Sequence, residues 1–268
     1  ALQEELRKAI GQPIIIVNKG GAAGTLGVID VARADPDGYT LGFTPNNPLT
    51  AQPHMRALPY GMDSFRFVCL SYYSAYVLIA GPQAPFKTFA EFLAFAKSKP
   101  GALTYGHPAP GSQPHLGMLA VVKALGVEAL GVPFQGAGPM AQALLSGTVM
   151  AITETPAVAQ ASNLPILAAL TEQRIPSLPD VPTMKELGFP AQGFTAGGLI
   201  VRKETPANVV ATLEKGCAAA VASSGYKTIA ERLKADPRYM PGDQFRKLFE
   251  ADSEQNADAI KRAGLQQK

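Results

Sequence analysis

The segment Tyr105-Gly106-His107-Pro108-Ala109-Pro110-Gly111-Ser112-Gln113-Pro114-His115 places a turn-rich loop with hydroxyl, amide and imidazole groups before an apolar helical stretch, Leu116 to Leu125. The first turn of a helix carries backbone N–H groups without intrahelical acceptors and the positive end of the helix dipole, so the chemistry on offer is anion capture. A carboxylate placed there gains about 0.3–1 kcal/mol from the dipole, and up to about 2 kcal/mol when partly buried. His107, Gly111, Ser112 and Gln113 are the candidate contacts. Ser112 reads equally well as an ordinary N-cap, and Pro114 is harmless in a first turn, although it removes one donor.

Three other loops have related chemistry. Thr44-Pro45-Asn46-Asn47 follows an apolar run and offers groups that donate and accept, with Thr44, Asn46 and Asn47 as candidates; Asn and Pro are also plain turn formers. Gln135-Gly136-Ala137-Gly138-Pro139 precedes another helix and forms a further possible cradle of amides, with Gln135 and Gly136 as candidates. Gly136, Gly138 and Ala141 also spell a dinucleotide-like G-x-G-x-x-A with Glu154 downstream, but the preceding strand is short and interrupted by Pro133, so nicotinamide binding is disfavoured. Glu154 ends an apolar run; it would repel an acid unless it accepts from a hydroxyl or amino group on it, and a salt-bridged wall residue is the plain alternative.

Other chemistries find little support. His54, His107 and His115 are not joined by carboxylates or thiols at metal-ligand spacing, so no metal is expected. His115, at a helix start, reads as a structural hydrogen-bonding residue and His107 as the better ligand candidate. Neither a nucleophile elbow nor a Walker loop is present, and no cofactor is expected. With 24 Lys and Arg against 21 Asp and Glu, the net charge of +3 is dispersed and leaves no nucleic-acid footprint. Cys69, in an apolar run, and Cys217, in an alanine-rich helix, read as two buried free thiols, with a disulfide between them as the alternative. No apolar run reaches the roughly 18 to 20 residues of a membrane span.

These loops need strands and helices to hold them. At 268 residues and 47% hydrophobic, one large or two ordinary domains with a sizeable core are possible. Ala1 to Ile10 reads as a helix stopped by Gly11, and Ile14 to Val17 as a strand buried on both faces. Glycines 20, 21 and 24 lead into a helix with Val28, Val31 and Ala32 on one face, and Asp35-Pro36-Asp37-Gly38 turns the chain into a strand from Tyr39 to Phe43. Strands are expected at 66–70, 103–106, 130–134, 149–153, 166–170 and 199–201. Helices are expected from Thr88, which forms a capping box with Glu91, at 113–125 and 139–147, from Thr205-Pro206, and at 241–263, where Phe245, Leu248, Phe249 and Ile260 face inward. Tyr72, Tyr73 and Tyr76 read as packing residues. The alternation describes an α/β protein.

Taken together, the order Gln-Pro, apolar run, Asn, Gly-Ala-x-Gly-Thr-x-Gly and Pro-Asp-Gly-Tyr-Thr-Leu resembles the extracytoplasmic solute-binding receptors of tripartite tricarboxylate transporters, the Bug-type family. The likeness continues through Leu58-Pro59-Tyr60, Tyr105, Gly111, His115-Leu116, Val132-Pro133-Phe134, Gly147 and Leu178-Pro179-Asp180-Val181-Pro182-Thr183, and spans nearly the whole chain. It implies an α/β, two-lobed periplasmic-binding-protein-like fold of type II, each lobe a mixed sheet flanked by helices, with a hinge and an interlobe cleft. Lobe 1 would comprise residues 1–78 and 197–268, and lobe 2 residues 79–196.

The resemblance further implies a periplasmic, monomeric receptor that captures a small organic (di)carboxylate in the cleft, with the loop of His107, Gly111, Ser112 and Gln113 contacting the ligand; Thr44, Asn46, Asn47, Gln135, Gly136 and Glu154 join it as candidates on their chemistry. It would deliver that solute to membrane permease subunits, without chemistry. In the family a first strand and a Pro-Gly-Gly loop precede the opening helix, the loop of Ser112 is richer in Ser, Asn and Thr, and a shorter acid commonly stands at position 154. An enzyme or an effector-sensing domain on the same scaffold is the alternative.

Overall fold

The computed structural model describes residues 2–232 and 236–267. The first half runs α1 (Leu2–Ile10), α2 (Thr25–Arg33), β1 (Gly42–Pro45), α3 (Asn47–Thr50), α4 (Gln52–Met55), β2 (Phe65–Ala75), β3 (Val77–Ala80), α5 (Phe89–Ser98), β4 (Leu103–His107) and α6 (Gln113–Leu125). It continues with β5 (Ala129–Pro133), α7 (Ala137–Leu145), β6 (Ala151–Glu154), α8 (Pro156–Ala161), β7 (Ile166–Ala169), β8 (Phe194–Arg202), α9 (Ala207–Ala222), α10 (Ser224–Arg232), β9 (Asp236–Pro241) and α11 (Gly242–Arg262). Two compact units result, Ala1–Ser74 with Thr195–Lys268, and Ala75–Phe194.

The first unit holds a four-stranded sheet in the order β1-β8-β2-β9. β1 is antiparallel to β8, and β2 to β9. Gly198 of β8 has no room for a side chain, because a Cβ there would lie 1.9 Å from the Cys69 carbonyl oxygen. Leu6 of α1 packs with Leu213 and Cys217 of α9 over Val68, Leu199 and Val201 of the sheet. Phe245 and Phe249 of α11 meet Phe67 edge-on at 4.9 and 5.9 Å, a favoured aromatic geometry.

Three sequence expectations are corrected in this unit. Cys69 and Cys217 are not free thiols: they form a disulfide across 148 residues, with their Cα atoms 6.5 Å apart. Residues this far apart in sequence reveal their pairing only once the fold has brought β2 beneath α9. The segment Ile14 to Val17 is not a buried strand; Ile15, Ile16 and Val17 are 87%, 59% and 71% exposed. β-branched residues favour extended backbone, but a strand also needs a neighbour; among the described residues this segment pairs with no strand, and its Ile14 carbonyl accepts from Gln3 Nε2 at 2.6 Å. The next strand likewise begins at Gly42 instead of Tyr39, since Asp37 Oδ1 takes the Tyr39 amide and prolongs the turn.

The second unit holds a five-stranded mixed sheet in the order β5-β4-β6-β3-β7. β4 is parallel to both β5 and β6, while β3 runs antiparallel to β6 and β7. The carboxyl ends of β4, β5 and β6 therefore share one edge of the sheet, and each leads into the start of a helix, α6, α7 or α8. Phe86, Phe92, Leu103, Met118 and Val121 fill the core between sheet and helices. α5 starts as its sequence requires, with Thr88 Oγ1 accepting from the Glu91 amide and Glu91 Oε2 accepting from the Thr88 amide. Tyr76 is buried in this core, whereas Tyr72 and Tyr73 are half-buried in the first unit.

Candidate functional site

The strand-end edge of the second unit brings His107, Gly111, Ser112, Gln113, Gln135, Gly136 and Glu154 to one side of one sheet. α6 starts at Ser112, whose hydroxyl accepts from the His115 amide at 3.4 Å and donates to the Ala109 carbonyl at 2.7 Å. Gly111, at φ +70°, turns the chain into that cap and donates its amide to His115 Nδ1 at 3.0 Å. The Ser112 amide is held by the Ala109 carbonyl, and the Leu116 amide by that of Ser112. Thr153 of β6 donates its hydroxyl to the Pro114 carbonyl, fixing α6 to the sheet. The amides of this loop are thus largely committed to the loop itself, and Gly111 in particular serves His115.

His107 and His115 stack face to face, 3.9 Å between ring centres and 9° between planes, with Tyr105 about the same distance, 6.1 Å, from each. Both imidazoles are buried, 4% and 6% exposed. Burial, and then the neighbouring His107 ring, push His115 down to about 3. Burial also lowers His107, partly offset by the Ala109 backbone, while its Nδ1 makes no well-aligned hydrogen bond.

The loop after β5 presents a different face. Phe134 donates its amide to the His107 carbonyl at 2.9 Å and Gly136 to the Pro108 carbonyl at 3.1 Å, so the β4 loop braces the start of α7. Ala137 and Gly138 then open α7 at the surface, where their amides have no carbonyl one turn earlier to bond. A Cβ on Gly138 would meet nothing within 4 Å, so its Cα faces open space. Gln135 is exposed beside them. Glu154, half-buried at the end of β6, accepts from the Thr155 amide at 2.7 Å; burial nonetheless raises its carboxyl above the usual range.

Thr44, Asn46 and Asn47 belong to the first unit and are already bonded there. Thr44 Oγ1 donates to the Pro45 carbonyl at 3.1 Å, and Asn47 Oδ1 accepts from Gln52 Nε2 at 3.0 Å. Asn46 is buried and donates to Asp252 Oδ2 of α11 at 2.9 Å, a bond that helps seat α3 on α11. Among the described residues no group of three His, Cys, Asp or Glu side chains could hold a metal ion, and no helix is long and apolar enough to cross a membrane. The amides of Ala137 and Gly138 fall outside the candidate set read from the sequence, although the Gly-Ala-Gly-Pro corner between strand and helix was the signal for them.

A strand-end edge built from helix starts and uncharged donors is a common way to hold an anion. The model of the tripartite tricarboxylate transporter family receptor, TctC, matches residues 1–265. The chain belongs to this family. It is 32% identical to a protein of Cupriavidus necator described as UPF0065 protein in gbd 5'region, over 98% of this chain and 82% of that one. Protein BugT of Bordetella pertussis is 28% identical over 100% of this chain and 84% of the relative.

Among solved structures, a TctC solute binding protein from Polaromonas superposes with a TM-score of 0.86 at 31% identity, covering 97% of this chain and 92% of that one. MatC from Rhodopseudomonas palustris, with bound malate, gives 0.78 at 31% identity with the same coverage. A second R. palustris protein, solved with adipate, gives 0.82 at 25% identity, covering 98% and 90%. The fold is that of TctC and Bug solute-binding proteins, a family of receptors and not of enzymes.

Proposed function

We propose that this receptor captures a small dicarboxylate and passes it to the membrane subunits of a tripartite transporter, without turning it over. The observation that carries this reading is the shared edge of β4, β5 and β6, which gathers the exposed start of α7, Gln135 and Glu154 at one end of the sheet. Ala137 and Gly138 donate to one ligand carboxylate, aided by the α7 dipole. Gln135 supplies a side-chain amide. Glu154, its carboxyl raised by burial, accepts from or donates to a hydroxyl on the ligand. His107, Gly111, Ser112 and Gln113 shape the wall. The malate and adipate bound in two structural neighbours support the dicarboxylate class.

The Cys69–Cys217 disulfide favours a periplasmic site of action, since such bonds persist in oxidising compartments. The protein acts there as a monomer. Calorimetric and thermal-shift titration with mono-, di- and tricarboxylates tests the reading: a ligand at about 100 times its Kd adds about 2.7 kcal/mol of stability. Absence of any shift across the panel contradicts it.

A further inference from the structure

One of the two stacked histidines of the second unit is bonded to the loop that precedes its own helix. His115 makes two bonds to the same loop: Nδ1 accepts from the Gly111 amide at 3.0 Å, and its own amide donates to Ser112 Oγ at 3.4 Å. The loop between them, from Pro108 to Gly111, carries two prolines that restrict its backbone and ends on a glycine in the left-handed region, where the bond from Gly111 to His115 and the Ser112 cap fix its exit into α6. Pro108 in turn presents its carbonyl to the Gly136 amide, one residue before α7. The imidazole at 115 is thereby linked, bond by bond, to the start of α7, whose first residues are exposed.

We infer that His115 is the positioning residue of the strand-end site: by taking the Gly111 amide on Nδ1 it latches the 108–111 loop, and the loop holds the α7 start in its carboxylate-binding geometry. This inference rests on the dicarboxylate reading of the same edge. It requires the neutral imidazole with the proton on Nε2, because a proton on Nδ1 would set two donors against each other. The surroundings maintain that form. β4 places His107 and Tyr105 against the ring, and among the described residues no acid belongs to the groups that set the His115 proton affinity. His107 supports the ring by stacking and leaves Nδ1 of His115 to Gly111.

The test compares His115→Phe, which keeps a flat ring and loses the acceptor, with His115→Asn, whose Oδ1 stands near the place of Nδ1 and can accept the same amide. Titration with malate and adipate is read beside amide exchange at Gly111 and Gly136. H115F is expected to weaken binding about 10-fold, as for one misdirected hydrogen bond to a charged group, and to speed exchange at both glycines, while H115N stays within about 3-fold of the parent. Unchanged affinity in H115F, or equal losses in the two variants, overturns the inference. Should H115F fail to fold, His107→Leu replaces it: removal of the stacking partner is expected to give a smaller loss with faster Gly111 exchange, and no effect on either overturns the latch. A parent protein that binds neither acid overturns the dicarboxylate reading itself, a result distinct from any difference between variants.

Discussion

The amide of Gly136 donates to the carbonyl of Pro108 over 3.1 Å, and this bond ties the loop that follows β4 to the start of α7. It relates the two strand-end loops of the second unit. The β4 loop uses its own donors to hold its shape, and the β5 loop, held by it, leads into Ala137 and Gly138 at the exposed start of α7.

Replacing Ala137 by proline isolates the donor role of its amide. Proline is well tolerated at the first helical position, where the N–H has no intrahelical acceptor, so the melting temperature should change little. Dicarboxylate affinity should fall about 10-fold, the worth of one hydrogen bond to a charged group, as read by isothermal calorimetry. An unchanged Kd would remove that amide from the site.

Stability should fall in acid through the histidine pair. The folded-state value of His115 is depressed, from 6.5 to about 3, so its neutral form adds no penalty above about pH 6.5 and stability declines as the pH drops from there toward 3. The slope from this one group is about 1.4 kcal/mol per pH unit. Urea midpoints measured across this range should show the decline in the parent and a shallower one in His115→Asn.

The disulfide should carry a measurable share of the first unit's stability. Replacing Cys69 and Cys217 together by alanine should cost about 2–4 kcal/mol, mostly by freeing the unfolded chain that the bond constrains. Chemical denaturation of the double variant reads this directly, with ligand binding in the folded fraction expected to persist.

The N-cap of α5 offers a local check on the second unit. Thr88→Ala removes the acceptor for the Glu91 amide and should cost about 1 kcal/mol, while Thr88→Ser should cost less. Denaturation midpoints of the two variants distinguish a cap from a general surface effect.

Much of this architecture was legible where local signals agree. α6 runs from Gln113 to Leu125 as its pattern requires, because Ser112 caps it, Pro114 suits its first turn and Gly126 ends it in the left-handed region. The Thr88 box and the Asp35-Pro36-Asp37-Gly38 turn are of the same kind. Ile14 to Val17 misled because periodicity reports a preference for extended backbone and says nothing of a partner strand. β9 and α10 escaped notice since Asp236 to Pro241 has polar, proline-bearing text that forms a strand only by pairing with β2. At the site, the strand-to-helix corners could be read from their glycines and prolines. Which amides each loop uses for itself could not, because the Gly111–His115 and Gly136–Pro108 bonds depend on a fold that stacks two imidazoles and lays one loop beside another.

The most direct measurement follows backbone amide resonances of the whole receptor during titration with malate and adipate. Capture by the α7 start predicts that the largest, saturable shifts fall on Ala137 and Gly138, with smaller ones passing through Gly136 to Gly111. Saturable binding that leaves those amides unmoved, or no binding of either acid, would contradict it.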